Sequence, residues 1–332
     1  MIAGEDLKPI ADRRPHILFV VLDSARPEWL SCCACPRKTS PHIDQVAAQA
    51  MIFETAISPS SWTFPVMASV FTGMLPAKHG GHDQHLLLDS PYRTMAEIFS
   101  QHGYDTAAFA DIPYVGPLTK LDRGFRTMSN LQANEVQPFS KLVKATGRLH
   151  RVLSRRYCKT GQTPVVLGEA MHWLTRERDP RKPFLLYIHS DETHAPFLPP
   201  GRYRKSFTDL SVSQMHATNK DKQKYVAGLE TMTNKERQDL WNLALAEVAY
   251  FDEWLGRLFD LLRRQGLYDD TVIVITADHG ENMSEHGLLR HAMCLYDTLL
   301  HVPLIVKPPG KGGPQKRVPE MVQLIDLLPT LM

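Results

Sequence analysis

The chain has 332 residues, 43% hydrophobic and 22% charged, which are the proportions of an ordinary globular protein. Its 38 basic and 36 acidic residues leave a formal net charge of +2, which argues against a general nucleic-acid binder. No apolar run approaches the ~20 residues needed to cross a bilayer, and the N-terminus has no apolar stretch typical of a signal peptide. We therefore expect a cytoplasmic protein with neither a nucleic-acid partner nor a transmembrane segment.

Short apolar runs bounded by turn residues predict strands that are buried on both faces. They cover residues 17–22, 106–110, 184–188, 272–276 and 302–306. Helical patterns lie between them, at 41–51, 92–101 and about 235–265. Strands that alternate with helices predict an α/β sandwich with a mainly parallel central sheet and helices on both faces.

Polar residues follow three of these predicted strands. Asp23 follows the run at 17–22, a stretch from His189 to His194 follows the run at 184–188, and Asp278 with His279 follows the run at 272–276. Open α/β sheets bind ligands at the carboxyl ends of their strands. A single aspartate there is usually a turn or cap residue, but three such groups together predict a metal or phosphate site.

The domain organisation is expected to be simple. Residues 1–15 form an N-terminal extension, and 16–332 form one catalytic domain. Within it, a segment at about 136–168 is rich in lysine and arginine and is best explained as a solvated insertion. A lid, a recognition element for an anionic substrate, and a membrane-surface helix are the alternatives.

Five segments, in this order, resemble the sulfatase branch of the alkaline phosphatase superfamily. They are HILFVVLDSAR (16–26), SPSSWTFPVMASVFTGMLPAKHG (58–80), GYDTAAFADIPYVGPLTKLDRGF (103–125), PFLLYIHSDETHAPFLPP (183–200) and TVIVITADHGENMSEHGLLRHAMCLYDTLLHVPLIV (271–306). The resemblance implies an alkaline-phosphatase-like sandwich. It also implies a smaller C-terminal subdomain that is not found before residue 332, so we expect one wall of the pocket to be missing or supplied by another subunit.

The resemblance further implies a divalent metal held by Asp23, Asp278 and His279, with Thr63 beside it. Carboxylate and imidazole ligands together favour manganese or zinc. Many sulfatases have a richer set of oxygen ligands, which suits calcium. This chain has fewer oxygen ligands and one nitrogen ligand, so calcium is the alternative and not the favoured ion.

The nucleophile position departs from the family pattern. Alignment on Pro65 and on Thr72-Gly73 places Thr63 where sulfatases carry the cysteine or serine that matures to formylglycine. The serine and arginine of the maturation signal are absent, and oxidation of threonine would give a ketone instead of the aldehyde. We therefore expect no formylglycine. Thr63 is predicted to attack directly, activated by the metal and by the start of a helix through 66–71.

Several histidines are candidates for proton transfer or anion binding. His194 and His291 match family positions that contact the substrate, and His286 is a further candidate. In two-metal relatives an aspartate and histidines hold a second ion, which here would use Asp191, His194 and His291, with His189 in reserve. A single metal is the favoured arrangement.

These features predict a metal-dependent hydrolase of a phosphate or phosphonate ester, because related proteins with threonine at this place act on such groups. The substrate is expected to be a small anionic ester. A phosphotransferase, a sulfuric ester hydrolase and a catalytically silent sulfatase-like scaffold are the alternatives. The sequence leaves the oligomeric state open, a homo-oligomer included.

Overall fold

A computed structural model describes residues 14–132, 162–311, 313 and 315–332. Of the basic segment predicted at 136–168, residues 136–161 lie outside the described residues. Its remaining residues include the start of a helix at Thr163. Of the predicted N-terminal extension, residues 14 and 15 are described.

Ten strands occur in the described ranges, and eight of them form one sheet in the order β10-β2-β9-β6-β1-β5-β3-β4. The strands are β1 (His16–Leu22), β2 (Met51–Ile57), β3 (Asp105–Ala110), β4 (Thr127–Asn130), β5 (Phe184–Ser190), β6 (Thr271–Thr276), β7 (Asn282–Met283), β8 (Leu289–Arg290), β9 (His301–Lys307) and β10 (Lys316–Gln323). β7 and β8 pair as a separate hairpin.

Helices surround this sheet. They are α1 (Pro41–Ala47), α2 (Thr63–Thr72), α3 (Pro76–His79), α4 (Met95–Gln101), α5 (Thr163–Arg176), α6 (Gly201–Phe207), α7 (Val212–Thr218), α8 (Lys222–Val226), α9 (Asn234–Arg264), α10 (Asp297–Leu300) and α11 (Leu327–Leu331). The helix predicted at 235–265 agrees with α9. The one predicted at 41–51 is too long, because Met51 already begins β2. The one predicted at 92–101 begins later, because the Thr94 side chain accepts a hydrogen bond from the Glu97 backbone in a capping box.

The sheet is mainly parallel, as predicted, but the apolar run at 302–306 is an exception. It lies in β9, which runs antiparallel to both β6 and β2. After β6 the chain stays at the carboxyl end of the sheet through β7, β8 and α10. It then re-enters the sheet without a crossover helix, so it has to run in the opposite direction.

The side chains of β5 show how both faces of the sheet are covered. Phe184 packs edge-on against Trp173 of α5, with ring centroids 6.1 Å apart. Tyr187 packs edge-on against Phe71 of α2, with centroids 5.1 Å apart. Because successive side chains of a strand point to opposite faces, α5 and α2 lie on opposite sides of the sheet. This confirms the predicted sandwich, and it puts α2 on the same face as the odd-numbered residues of β5.

Candidate active site and metal centre

Three neighbouring central strands bring the candidate ligands together. In the register of the sheet, Val21 of β1 lies opposite His189 of β5 on one side and Thr276 of β6 on the other. Asp23 and Asp278 follow just beyond these strand ends. Asp23, His189 and Asp278 are all buried, and each offers one ligand atom within 4.8 Å of the other two.

The two oxygens of Asp278 have different surroundings. Oδ1 accepts hydrogen bonds from the backbone N–H of Ser24 at 3.1 Å and of His279 at 2.9 Å. Oδ2 is buried and has no hydrogen-bond partner among the described residues. Burial works to raise the pKa of Asp278, but His279, His189 and the two N–H donors hold it below the usual value.

A buried carboxylate oxygen without a donor is unfavourable unless a cation covers it. Two imidazole nitrogens lie close to Asp278 Oδ2: the Nε2 of His279, at 3.3 Å, and the Nε2 of His189, at 3.9 Å. Carboxylate oxygens converging with imidazole nitrogens form a donor set that suits a divalent transition metal. The residues present therefore fit the metal ion that the sequence implied.

His279 lies beside this cluster. Its Nδ1 is 2.9 Å from the carbonyl oxygen of Gly280, and its Nε2 is 3.8 Å from Asp23 Oδ1. Burial lowers the pKa of this imidazole, with Asp278 opposing the effect, and the net direction is down. A neutral ring whose Nδ1–H is held by a carbonyl has its Nε2 lone pair available for a metal.

Thr63 lies at the first position of α2. The preceding residue, Trp62, is extended, so the backbone turns into the helix at Thr63 itself. The helix predicted over 66–71 therefore exists and includes the threonine. Thr63 is 5% exposed, and its Oγ1 lies 3.4 Å from His279 Nε2. An anion beside this hydroxyl would face the positive end of the helix dipole.

Two further histidines lie beside His279. The ring of His291 is centred 4.4 Å from that of His279 and 4.9 Å from that of His194. The Nδ1 of His291 is 3.2 Å from Oε1 of Glu281, a fully buried carboxylate. Burial works to raise the pKa of Glu281, but His291 holds it below the usual value. Our sequence reasoning missed Glu281, although an acidic residue so soon after the Asp-His pair was a signal for it.

Other predicted site residues are placed differently. Asp191 is half-buried, and its Oδ2 accepts a hydrogen bond from Gln132 at 3.1 Å. His286 is exposed, has a left-handed backbone with φ of 56°, and stacks on Tyr296. Neither residue belongs to the buried ligand group, whereas His189, predicted only as a reserve, does.

The loop that carries His291 is conformationally unusual. Both neighbours of His291, Arg290 and Ala292, have positive φ angles, near 70°. Such backbone costs about 1–3 kcal/mol for each non-glycine residue and persists where surrounding contacts enforce it. Two of these contacts are the hydrogen bond from Ala292 N–H to the Ser61 carbonyl, at 3.0 Å, and the one from Lys222 Nζ to the His291 carbonyl, at 2.7 Å.

No helix among the described residues is long and apolar enough to span a membrane.

In sequence, the chain is 24% identical over 368 residues to "Uncharacterized sulfatase YidJ" of Escherichia coli (strain K12), covering 96% of this chain and 67% of that protein. It is 26% identical over 318 residues to "Arylsulfatase K" of Mus musculus, covering 88% of this chain and 55% of that protein. The chain thus spans about half to two thirds of the length of these relatives.

Solved structures share the fold. The phosphonate monoester hydrolase of Agrobacterium radiobacter superposes with a TM-score of 0.76 at 21% identity, covering 96% of this chain and 73% of that one. The putative sulfatase yidJ of Bacteroides fragilis gives 0.70 at 21% identity, covering 100% and 75%. A family model described as Sulfatase matches residues 15–332. Because that match extends over nearly the whole sequence, the chain belongs to the sulfatase family.

Proposed function

We propose that this protein is a metal-dependent hydrolase of phosphate or phosphonate esters that uses Thr63 as its covalent nucleophile. The observation that carries the proposal is the position of Thr63 Oγ1, 3.4 Å from His279 Nε2 at the N-terminus of α2. His279 Nε2 in turn lies 3.3 Å from the unpartnered oxygen of Asp278. A hydroxyl, a helix N-terminus and a set of metal-ligand atoms therefore meet at one point.

The metal would be held by Asp23, Thr63, Asp278 and His279. When bound, a divalent ion lowers the pKa of a coordinated hydroxyl and neutralises charge on the attacked group. The family is divalent-metal dependent, and the buried ligand group is consistent with this. Because the donor set mixes carboxylate with imidazole, we favour manganese or zinc over calcium.

The side chains divide the chemistry between them. Thr63 Oγ, after its hydroxyl proton has passed to solvent, forms a bond to phosphorus as the bond from phosphorus to the leaving oxygen breaks. The leaving oxygen takes a proton, which we assign to His291 because Glu281 holds its Nδ1 and leaves Nε2 for the substrate side. Water then attacks the phosphothreonine and gives one proton to His291, which restores the protonated ring, as the bond from phosphorus to Thr63 Oγ breaks and leaves the oxygen anion that begins the next cycle. His194, beside His291, is assigned to the anionic oxygens of the substrate.

Two observations favour phosphoryl or phosphonyl over sulfuryl transfer. Threonine occupies the place of the formylglycine precursor, so the sulfatase route through an aldehyde hydrate is closed to it. One of the solved structures that share the fold is titled a phosphonate monoester hydrolase. A sulfuric ester hydrolase is the second candidate, because the curated relatives are named sulfatases.

The experiment compares Thr63→Ala and Thr63→Ser with the unchanged protein on aryl phosphate, phosphonate, phosphodiester and sulfate esters. We expect Thr63→Ala to lose at least ~1,000-fold in kcat, because the nucleophile is gone, and Thr63→Ser to keep measurable activity. Intact-protein mass spectrometry during turnover should show a phosphoryl adduct on residue 63.

The matched control is Thr72→Ala, at the other end of the same helix. The Thr72 hydroxyl bonds to the carbonyl of Ala68 within α2, so its loss should leave turnover nearly unchanged. Normal turnover by Thr63→Ala would rule out the nucleophile, and a clear preference for sulfate esters would favour the second candidate.

A further inference from the structure

The Nδ1 atoms of the two histidines that face Asp278 Oδ2 have different hydrogen-bond partners. One partner is a carbonyl oxygen, which can only accept a hydrogen bond, and the other is a hydroxyl, which can also donate one. His279 Nδ1 lies 2.9 Å from the carbonyl oxygen of Gly280. A carbonyl oxygen can only accept, so this Nδ1 carries the hydrogen. In the neutral ring, His279 Nε2 is then a bare lone pair, suited to a metal.

His189 has a hydroxyl in the equivalent place. Its Nδ1 lies 2.8 Å from the hydroxyl of Tyr187. The two residues are two positions apart on β5 and so point to the same face of the sheet. Tyr187 is fully buried, its ring in contact with Phe19 and Phe71. In the described part of the chain, His189 Nδ1 is the one hydrogen-bond partner that the structure gives this hydroxyl.

The direction of this hydrogen bond follows from what each choice would leave unpaired. If Tyr187 accepted from His189, its own hydroxyl proton would be buried without a partner, which is unfavourable. If Tyr187 donates, its proton and the Nδ1 lone pair are both satisfied. The neutral ring of His189 then carries its hydrogen on Nε2.

We infer that His189 is a hydrogen-bond donor to Asp278 Oδ2 and is not a metal ligand, and that Tyr187 is the positioning residue that fixes this tautomer. Oδ1 of Asp278 is already occupied by two backbone N–H groups, so Oδ2 is the oxygen left for the cation and for a further donor. Nε2 of His189 is 3.9 Å from Oδ2, which is longer than a hydrogen bond, and it has no other hydrogen-bond partner among the described residues, so Oδ2 is the acceptor nearest to hand for its N–H. Imidazole ligation then falls to His279 alone.

This inference rests on the proposed function in one respect, that the site takes a divalent cation. The tautomer of His189, however, can be measured in the free protein. The full chain labelled with ¹⁵N-histidine is studied by NMR with and without Zn²⁺, and His189→Gln identifies the signals of His189. We expect the Nε2–H tautomer for His189 in both states, and a Zn²⁺-dependent shift at Nε2 of His279 only. An Nδ1–H tautomer for His189, or a direct Zn²⁺ shift at its Nε2, would overturn the inference.

Tyr187→Phe tests the positioning role with little change in packing. Loss of the hydroxyl should convert His189 from one tautomer to a mixture. The matched control is Tyr268→Phe, a buried tyrosine whose hydroxyl has no described hydrogen-bond partner and which precedes the start of β6, the end opposite Asp278. A His189 tautomer that is unchanged in Tyr187→Phe would contradict the role of Tyr187.

Zn²⁺ titration completes the test. His279→Ala should weaken binding by at least ~10-fold, whereas His189→Gln, which keeps an N–H donor, should change it less than ~3-fold. Equal losses in the two variants would make His189 a ligand and overturn the inference. If the unchanged protein fails to bind Zn²⁺ at all, the proposed metal site fails, and the NMR of the free protein still decides the tautomer.

Discussion

At the scale of single residues, Glu281 is the clearest case of a side chain that acts through another. Its carboxylate is fully buried, and one oxygen accepts from His291 Nδ1. The other oxygen has no hydrogen-bond partner among the described residues. The positive charges of Arg290 and a protonated His291 favour the ionised form of Glu281. Glu281 thus holds the His291 ring through its Nδ1, and in the proposed mechanism its negative charge would stabilise the ring when it carries a proton.

Glu281→Gln tests this assignment. We expect kcat to fall about 10–100-fold with a smaller change in KM, because the neutral amide no longer stabilises a charged His291 during proton transfer. Steady-state kinetics against pH would measure both effects. The control is Glu320→Gln, on the exposed edge strand β10, which should behave like the unchanged protein. A kcat equal to that of the control would refute the role of Glu281.

Strand-end position in the sequence indicated Asp23, the stretch from His189 to His194, and Asp278 with His279, because the carboxyl ends of parallel neighbours meet at one edge of the sheet. It could not separate His286 from His291. Both follow the same strand, and the left-handed backbone at His286 that turns it toward Tyr296 has no motif in the sequence. The choice between His189 and His279 depends on what each Nδ1 touches, which only the three-dimensional structure shows.

At the scale of elements, the packing of α9 on α1 depends on a missing side chain. An added Cβ at Gly256 of α9 would lie 2.5 Å from the ring of His42 in α1. An added Cβ at Gly168 of α5 would meet nothing within 4 Å. Both glycines are inside helices, so replacing either one with alanine brings the same gain in helix propensity. Only the replacement at Gly256 also brings a steric clash.

We therefore predict opposite effects from the same substitution. Gly256→Ala should lower the free energy of unfolding by about 1–3 kcal/mol, because the His42 ring has to move. Gly168→Ala should raise it by about 0.5–1 kcal/mol, because alanine is the better helix former. Chemical denaturation measures both values. Equal effects of the two substitutions would mean that α1 does not pack on α9 as described.

The same interface contains a buried acid. Asp252 of α9 accepts hydrogen bonds from the backbone N–H groups of His42, at 3.0 Å, and Ile43, at 2.8 Å. Burial raises its pKa to about 7, against the lowering effect of these two donors. Since the folded pKa lies above the unfolded value of about 3.9, this group stabilises the fold fully only below pH ~4. Its contribution is lost as the pH rises through 7.

Asp252→Asn removes this titration. We expect the difference in unfolding free energy between the unchanged protein and Asp252→Asn to shrink as the pH rises from 5 to 8. Denaturant titrations at a series of pH values measure it. Parallel stability profiles for the two proteins would show that Asp252 does not titrate in this range.

The elements that sequence patterns missed are those whose strand character comes from their neighbours. β2 alternates apolar and polar side chains, and β4 has only four residues, so neither forms a continuous apolar run. β10 is largely exposed at the edge and is held by parallel pairing with β2. Continuous apolar runs correctly indicated β1, β3, β5, β6 and β9, because strands buried on both faces need no polar side.

At the scale of the whole molecule, the three central strands join the metal site to global stability. Asp23 follows β1 and Asp278 follows β6, so an ion bound between them would link the ends of these two strands, and His189 of β5 would join them through its contact with Asp278. A ligand that binds only the folded chain stabilises it, by about 2.7 kcal/mol at 100 times its dissociation constant. Metal binding should therefore be visible in thermal unfolding as well as in activity.

Metal removal with a chelator is expected to abolish ester hydrolysis and to lower the Tm, and added Mn²⁺ or Zn²⁺ should restore both. In Asp278→Asn, added metal should restore neither ester hydrolysis nor the Tm, because an amide oxygen is a weaker metal ligand than a carboxylate oxygen. Asp179→Asn is the control, since Asp179 pairs with the exposed Arg181 before the start of β5, at the end of that strand opposite the candidate ligands. A Tm that is independent of the ion in the unchanged protein would contradict the proposed site.

The hydrogen bond from Ala292 N–H to the carbonyl of Ser61 has a consequence for how this protein can evolve. It ties the chain just after His291 to the chain just before Thr63, so a residue inserted on either side would shift these two side chains relative to each other. Diversification by insertion is thus expected to avoid 61–63 and 290–292 and to accumulate in segments that carry neither end of this tether.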